Sequence, residues 1–271
     1  MRKNKKKTYA TSIAIAVLLI GVVFLAWPKN QPVSGIHATA PKTATPTPSP
    51  KPVEFDKTQH STDISSSLWV VVNKGRVLPS NYAPDGLVVP NVPLRYSTSS
   101  SEMHVRADTA AAMESLFKAA STQGINLKLA SGYRSYSYQV SVYGGYVKSD
   151  GVTQADTYSA RPGHSEHQTG LAADLEPIDR QCEVEQCFEN TPEGQWLAAN
   201  SYKYGFIIRY GKTTQNLTGY QYEPWHVRFV GIDLANQIQV SGQTLEQFFG
   251  LPTYPDYPAQ SYQLKESTSA E

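Results

Sequence analysis

The sequence lacks an excess of charge of either sign. Its 24 lysine and arginine residues nearly balance its 23 aspartate and glutamate residues, and the only dense basic run lies within the first seven residues. Nucleic-acid-binding domains usually carry a basic face or stripe. The composition therefore argues against nucleic acid as a partner.

Cysteine is also scarce, because Cys182 and Cys187 are the only two in the chain. No second cysteine pair and no nearby histidine accompanies them, which disfavours a zinc site built on this pair. In an oxidising compartment we expect these two residues to form a local disulfide that holds a loop.

A lysine-rich N-terminus is followed by an apolar run over residues 9–27. About 19 apolar residues can span a hydrocarbon core of about 30 Å. A cleaved secretory signal is the alternative, but no small-x-small cleavage site follows, since Phe24 stands two residues before Ala26. We predict a single-pass signal anchor over residues 1–28, with its basic end in the cytoplasm. The expected location is the cell membrane, with the folded domain outside the cell.

Residues 29–64 are rich in proline and threonine, with prolines at positions 41, 46, 48, 50 and 52. Such a segment buries little apolar area and favours extended polyproline II conformations, so we predict a linker. One folded domain is predicted over residues 65–251. The polar tail, residues 252–271, is predicted to be a poorly ordered terminus.

Hydrophobic periodicity predicts a mixture of helices and strands in the folded domain. Helices are predicted from the cap Asp108 or Thr109 to residue 124, from about residue 137, over residues 191–205 and over residues 245–249. Strands are predicted for the segments INLKLA, LAADL, FIIRY and HVRFV, and SLWVVVNKGRVL is predicted to form two strands around a turn. The elements follow no regular βαβ order, which indicates an α+β domain.

The stretch SEHQTGLAAD places His167 and Asp174 seven residues apart, with Gly170 between them. Seven residues of strand would separate the two side chains by about 23 Å, and a helix would place them about 10 Å apart along its axis. They can meet if the chain reverses at Thr169 and Gly170, where glycine tolerates a turn. Half of a metal site is one interpretation, and a turn with a buried aspartate is the other.

The stretch YEPWHVRF places Glu223 three residues before His226, in a segment that otherwise has the character of a buried strand. Pro224 removes a backbone donor and holds Glu223 in an extended conformation. A carboxylate and an imidazole beside apolar side chains incur a desolvation cost unless a partner satisfies them. A metal with a bound water would do so, with His226 as ligand and Glu223 as base. A buried Glu–His pair is the alternative.

The stretch SGYRS places Arg134 directly after a predicted buried strand, on a turn that contains glycine. Loops in such positions often carry function. A guanidinium there could bind a carboxylate or stabilise negative charge on a carbonyl oxygen. An ordinary surface arginine is the alternative.

Taken together, the sequence resembles the VanY-type zinc D-alanyl-D-alanine carboxypeptidases. The segments that carry the resemblance stand in the family's order: SGYRSYSYQ, ARPGHSEHQTGLAADL, WLAANSYKYGFIIRY and YEPWHVRFVG. The resemblance spans about residues 68–250 and does not reach the predicted anchor, linker or tail. It implies the Hedgehog/DD-peptidase fold, in which a small antiparallel sheet is flanked by helices.

The resemblance also assigns roles to individual residues. The family's Ser-x-His-x6-Asp pattern falls on Ser165, His167 and Asp174, and its Glu-x-x-His pattern falls on Glu223 and His226. It implies that His167, Asp174 and His226 bind one zinc ion and that Glu223 is the catalytic base.

Three further residues take their expected roles from the same resemblance. Arg134 follows the family's Ser-Gly-Tyr turn, and it is expected to bind substrate and to stabilise the transition state. Ser165 is expected to help hold the peptide, and Gln139 is expected to line the same cleft. His164, three residues before His167, is expected to be a loop neighbour without a metal role.

The family implies a zinc metallopeptidase that removes a C-terminal D-alanine from peptidoglycan stem peptides. An L,D-carboxypeptidase or a peptidoglycan endopeptidase could use the same residues. A non-catalytic wall-binding module is the alternative from another class, and its sign would be a missing ligand, which the sequence does not show. A serine carboxypeptidase is disfavoured, because no Ser-x-x-Lys stands at a convincing helix start. The predicted anchor and linker would hold the domain at the cell wall.

Overall fold

The computed structural model of the protein describes residues 55–266. The predicted anchor, residues 1–28, and most of the predicted linker lie outside the described residues. Within the described range, none of the helices has both the length and the apolar character that a membrane span requires.

The described chain alternates short strands, helices and 3₁₀ turns. The helices are α1 (Ala107–Ser121), α2 (Tyr136–Asp150), α3 (Val152–Ala155), α4 (Pro192–Asn200), α5 (Gln215–Thr218), α6 (Ile232–Ser241) and α7 (Leu245–Phe249). The strands are β1 (Arg76–Val77), β2 (Leu87–Val88), β3 (Val105–Arg106), β4 (Leu127–Ser131), β5 (Ala172–Pro177), β6 (Phe206–Ile208), β7 (His226–Phe229) and β8 (Tyr262–Gln263). The 3₁₀ turns are Ser101–Met103, Glu166–Thr169, Gln186–Asn190 and Ser201–Tyr204.

Strands β4 to β7 form a four-stranded sheet in the order β4-β5-β7-β6, and every pairing in it is antiparallel. Two shorter pairs, β2 with β3 and β1 with β8, lie outside this sheet. The predicted α+β class with a small antiparallel sheet is confirmed. The sheet register places Asp174 of β5 directly opposite His226 of β7, which matters for the site described below.

Helices cover both faces of the sheet. Successive side chains of a strand point to opposite faces, so neighbouring residues of β6 contact different helices. In β6, Phe206 packs in one apolar cluster together with Met113 and Leu116 of α1. The next residue, Ile207, packs in a second cluster together with Leu234 of α6 and residues of α7. A strand buried on both faces reads as a continuous apolar run, which is how the segment FIIRY appears.

The four predicted helices are present and begin close to the expected residues, but α4 ends at Asn200 instead of residue 205, and α3, α5 and α6 were not predicted. Helix α2 begins one residue before the expected start, because the Ser135 hydroxyl accepts from the Tyr138 amide at 3.1 Å. Helix α4 has the expected Pro192 start with Thr191 as its cap. The predicted cap of α1 is wrong, since the helix begins at Ala107 without a side-chain cap.

The predicted hairpin around Asn73 forms only in part. The turn closes with hydrogen bonds of 3.2 and 3.1 Å between Asn73 and Arg76, but residues 70–72 form no strand. Buried guanidinium groups bind the carbonyls there: Arg228 donates to Val70 at 2.8 Å, and Arg76 donates to Val71 at 2.9 Å. A strand partner is therefore not needed to satisfy these acceptors.

The packed unit is wider than the predicted range of 65–251, so the expected linker end and the expected poorly ordered tail need correction. Phe55 stacks on Trp69 with ring centroids 5.5 Å apart. Near the other end, Leu264 is buried and its amide donates to Val77 at 2.9 Å. A fully buried leucine contributes about 1.5–3 kcal/mol, so isolated apolar residues in polar segments hold both ends against the domain. Residues 267–271 lie outside the described residues.

Candidate active site

Three chain segments meet at one end of the sheet and deliver the predicted site residues. His167 lies in the 3₁₀ turn Glu166–Thr169, Asp174 lies in β5, and His226 is the first residue of β7. Between the first two, Gly170 adopts a left-handed conformation with φ of 67° and ends the turn. The predicted chain reversal at this glycine is confirmed. Residues with a Cβ rarely adopt that φ, which explains why a glycine occupies this position.

The side chains of His167, Asp174 and His226 converge on one point. Each offers a ligand atom, and these atoms lie within 4.8 Å of one another. His167 Nε2 is 3.3 Å from Asp174 Oδ2, and His226 Nδ1 is 3.3 Å from Asp174 Oδ1. All three residues are buried. Two imidazoles and one carboxylate are a donor set typical of catalytic zinc sites, which keep a fourth position for water or substrate.

Hydrogen bonds outside the cluster aim one free nitrogen of each imidazole at this point. His167 Nδ1 lies 2.6 Å from the Gly132 carbonyl, so it carries the proton and Nε2 is the acceptor. That buried Nε2 makes no well-aligned hydrogen bond among the described residues. In His226 the two nitrogens exchange roles. Nε2 lies 3.4 Å from Glu166 Oε2, and Nδ1 faces Asp174. An unsatisfied buried acceptor is costly, and a metal ion would satisfy both nitrogens.

The charges around the cluster favour cation binding. Burial alone would raise the pKa of Asp174, but His167 and His226 hold it well below its ordinary value. Burial lowers the pKa of His167, and the positive charge of Arg134 lowers it further. Burial also disfavours the charged form of His226, yet hydrogen bonds to Asp174 and Glu166 raise its pKa to about 9. A proton and a metal ion therefore compete for His226 Nδ1.

Glu223 lies beside the cluster in the turn that precedes β7. Its Oε2 is 3.5 Å from His226 Nδ1, and its backbone amide donates to the Tyr210 carbonyl at 3.1 Å. Burial raises the pKa of Glu223 to about 8, and the negative charge of Asp174 acts in the same direction. A carboxylate whose pKa lies near neutrality is suited to accept a proton at physiological pH.

Arg134 reaches the cluster from the end of β4. Its Nη2 donates to Asp174 Oδ2 at 3.2 Å, and its Nη1 donates to Gln139 Oε1 at 3.2 Å. Gln139 is only 1% exposed, and its amide nitrogen donates to the Ala160 carbonyl at 2.7 Å. Both ends of that amide are therefore engaged, and Gln139 orients Arg134 although it also lines the cleft. Sequence reasoning did not anticipate this orienting contact.

A cleft of about 490 Å³ opens over the cluster. Its lining contains every predicted site residue outside the disulfide: Arg134, Gln139, Ser165, His167, Asp174, Glu223 and His226. His164 is not among the lining residues, and its Nδ1 lies 2.8 Å from the Asn73 carbonyl. The volume falls in the range of about 300–1,000 Å³ that small-molecule sites occupy.

Comparison with known proteins places this geometry in a family. The VanY family model, described as D-alanyl-D-alanine carboxypeptidase, matches residues 102–232. The protein YodJ of Bacillus subtilis (strain 168) is 41% identical over 183 residues, which cover 68% of this chain and 67% of that protein. The chain belongs to the VanY family of D-alanyl-D-alanine carboxypeptidases.

Two solved structures resemble this VanY-family chain in fold and sequence. The LdcB LD-carboxypeptidase has a TM-score of 0.66 at 38% identity, with 74% of this chain and 89% of that chain covered. A VanY mutant in complex with Zn(II), a D,D-pentapeptidase from a VanB-type vancomycin resistance cassette, has a TM-score of 0.55 at 32% identity. That match covers 68% of this chain and 98% of the mutant chain. The resemblance to enzymes of this kind was predicted from the motifs.

A buried ion network behind the cluster was missed by sequence reasoning. Glu166 Oε1 accepts from Arg209 Nε and from Arg228 Nη1, both at 2.8 Å. Burial by itself would raise the pKa of Glu166, but the two guanidinium groups hold it far below its ordinary value. A signal was present, because Arg209 and Arg228 stand in segments predicted as buried strands, where a charge needs a partner.

The predicted disulfide between Cys182 and Cys187 is present. It closes a short loop in which Glu183, Val184 and Glu185 line the cleft. Glu183 also accepts from Lys128 Nζ of β4 at 3.1 Å. Together the cross-link and the ion pair hold this loop as one wall of the cleft.

Proposed function

We propose that this protein is a zinc-dependent carboxypeptidase that removes C-terminal D-alanine from peptidoglycan stem peptides. The observation that carries the proposal is the convergence of His167 Nε2, His226 Nδ1 and the Asp174 carboxylate inside a cleft that also contains Glu223. These three residues would hold one zinc ion. Membership of the VanY family and the resemblance to a zinc-bound VanY structure support the same assignment.

The residues around the cluster divide the chemistry between them. A zinc ion in such a site polarises a carbonyl group and lowers the pKa of water to about 7. Glu223 accepts the proton of the attacking water and returns it to the leaving amine, which a buried carboxyl with a pKa near neutrality can do in both directions. The catalytic role of Glu223 therefore depends on its burial beside His226.

Arg134 supplies the positive charge next to the reacting carbonyl. Its guanidinium donates to Asp174 on one side and to Gln139 on the other, which orients it within the cleft. A fixed guanidinium stabilises negative charge that develops on the carbonyl oxygen, or binds the free carboxylate of the peptide. Ser165 lies on the cleft wall beside the cluster and helps to hold the peptide.

A second candidate function is that of an L,D-carboxypeptidase, which would act on tetrapeptide stems. The specific observation in its favour is the likeness to the LdcB LD-carboxypeptidase, whose TM-score and identity are higher than those of the VanY mutant. The same metal cluster and base would serve both reactions. The difference would lie in the cleft walls that receive the last two residues of the peptide.

Digestion of defined stem peptides separates these candidates. We expect the purified protein to release D-alanine from a pentapeptide stem ending in D-Ala-D-Ala, to lose this activity with a chelator and to regain it with zinc. The reaction is followed by chromatography and mass analysis of the products. Release of D-alanine only from a tetrapeptide stem would replace the D,D assignment by an L,D assignment. Cleavage only within cross-linked dimers would indicate an endopeptidase. Turnover of none of the three would favour the wall-binding alternative.

We also propose, from the sequence, that residues 1–28 anchor the protein in the cell membrane and that the enzyme domain faces the cell wall. The lysine-rich start and the apolar run over residues 9–27 support this topology. Intact cells treated with an added protease should lose the domain, whereas a cytoplasmic marker survives. Full protection of the domain in intact cells would overturn the proposed orientation.

A further inference from the structure

Glu166 stands between the candidate metal ligand His226 and two buried arginines. Its side chain is completely buried, as are those of Arg209 and Arg228. The two carboxylate oxygens are used differently. Oε1 accepts from both guanidinium groups at 2.8 Å, whereas Oε2 lies 3.4 Å from His226 Nε2. One oxygen is thus occupied by the ion network and the other is left for the imidazole.

We propose that Glu166 is a positioning residue for metal binding: its carboxylate accepts the Nε2 proton of His226 and so fixes Nδ1 toward the metal. The inference rests on the function proposed above, in which His226 is a zinc ligand. It concerns a residue outside the proposed ligand set, His167, Asp174 and His226.

The two candidate histidine ligands are oriented by different means. His167 is held by the Gly132 carbonyl, a main-chain group that no side-chain substitution removes. For His226, Glu166 is the hydrogen-bond partner of Nε2 among the described residues. A hydrogen bond at the far nitrogen selects the tautomer and the ring orientation of a metal ligand. The hydrogen bond at the far nitrogen of His226 therefore comes from a side chain, which a substitution can remove.

The arginines hold Glu166 in place from the side away from His226. Arg209 donates to Glu246 of α7 at 2.5 and 3.1 Å in addition to its bond to Glu166. Arg228 donates to the Val70 carbonyl at 2.8 Å and to the Leu68 carbonyl at 3.1 Å. Each guanidinium is anchored at its other end, so the carboxylate between them has one fixed orientation.

A purely structural ion network is the competing explanation, and Glu246 provides a matched control for it. Glu246 is buried, carries the same charge and binds the same Arg209, but it makes no contact with His226. Glu166→Gln and Glu246→Gln each leave Arg209 short of a carboxylate partner, and Glu166→Gln also removes the carboxylate partner of Arg228. Both should lower the stability of the metal-free protein, because an uncompensated buried charge is costly. Only Glu166→Gln removes the carboxylate that accepts from His226.

The test is the zinc affinity of the purified protein, measured by competition with a chromophoric chelator. We expect Glu166→Gln to weaken zinc binding by about 10- to 100-fold, as loss of an outer-shell partner typically does, and Glu246→Gln to bind zinc like the wild type. Glu166→Asp retains the charge for the arginines but shortens the reach toward His226. It should fold and also bind zinc more weakly, which keeps the test valid if Glu166→Gln does not fold.

The visible spectrum of the cobalt-substituted protein gives a second measurement, since it reports ligand geometry rather than fold. It should change in the Glu166 variants and not in Glu246→Gln. Wild-type zinc affinity in folded Glu166→Gln or Glu166→Asp would overturn the positioning role, as would equal losses in Glu166→Gln and Glu246→Gln. His226→Ala is the reference: if it retains wild-type affinity, the proposed metal site is itself wrong. If it loses zinc while both Glu166 variants keep it, only the role of Glu166 is wrong.

Discussion

Glu223→Gln should bind zinc as the wild type does and hydrolyse stem peptides about 10²- to 10⁴-fold more slowly. The amide has the size of the carboxylate and forms the same turn before β7, in which the His226 amide donates to the Glu223 carbonyl at 3.2 Å. It cannot accept a proton from water, so the general-base contribution disappears. The turnover number with a defined pentapeptide measures the loss, and metal analysis of the same sample measures the bound zinc.

The pH dependence of turnover provides a check on the same residue. The reactive form of Glu223 is the ionised form, so activity should rise with pH through the pKa of this group. Burial raises that pKa to about 8 in the metal-free protein, and a bound cation lowers it, because an opposite charge favours the carboxylate. The acidic limb of the profile should therefore lie below pH 8 in the wild type and be absent from Glu223→Gln. Full activity in that variant would remove Glu223 from the role of base.

His167→Ala and Asp174→Ala should each lose zinc. Each variant removes one of three donors, and the loss should exceed the roughly 10- to 100-fold that removal of an outer-shell partner costs. Asp174 also bridges the two imidazoles, with 3.3 Å to a nitrogen of each, so its removal affects both remaining ligands. Zinc content after purification and chelator competition are the measurements, and hydrolysis should be lost in parallel.

His164→Ala is the matched control for these ligand variants. His164 is a buried histidine three residues before His167, but its Nδ1 lies against the Asn73 carbonyl and its ring lies 5.1 Å from that of Tyr257. Its removal costs packing and one hydrogen bond, and zinc content should stay at the wild-type level. Unchanged zinc stoichiometry in His167→Ala, or loss of zinc in His164→Ala, would contradict the proposed ligand set.

Much of the fold followed from local patterns. The helix over Leu245–Phe249 has the predicted bounds, and α1 buries its predicted apolar positions, among them Met113 and Leu116. The reversal at Gly170 also followed from the sequence, because a steric rule limited to one residue decides it. Such features depend on neighbours a few positions away, which the sequence displays directly.

The ends of the domain were not predictable in this way. Residues 55–64 and 252–266 are polar on average, and composition predicts that such segments remain outside a core. Ser65 and Lys265 nevertheless pair through their backbones at 2.8 Å, and Leu264 is buried. Single apolar side chains such as Leu264 attach these segments to the domain. The apolar surfaces that they pack against form only when the domain folds.

By itself, the sequence determined which chemistry is present: two histidines, two carboxylates and an arginine in motifs that resemble those of one enzyme family. The tertiary structure decided how they are used. It set the register that pairs Asp174 with His226, and it brought Glu166 within hydrogen-bonding distance of a residue 60 positions away. Strand register and buried ion pairs depend on contacts between distant parts of the chain. Register is set by which face of each strand is buried, and a buried charge is tolerated only where a distant residue pairs with it, so no local pattern records either.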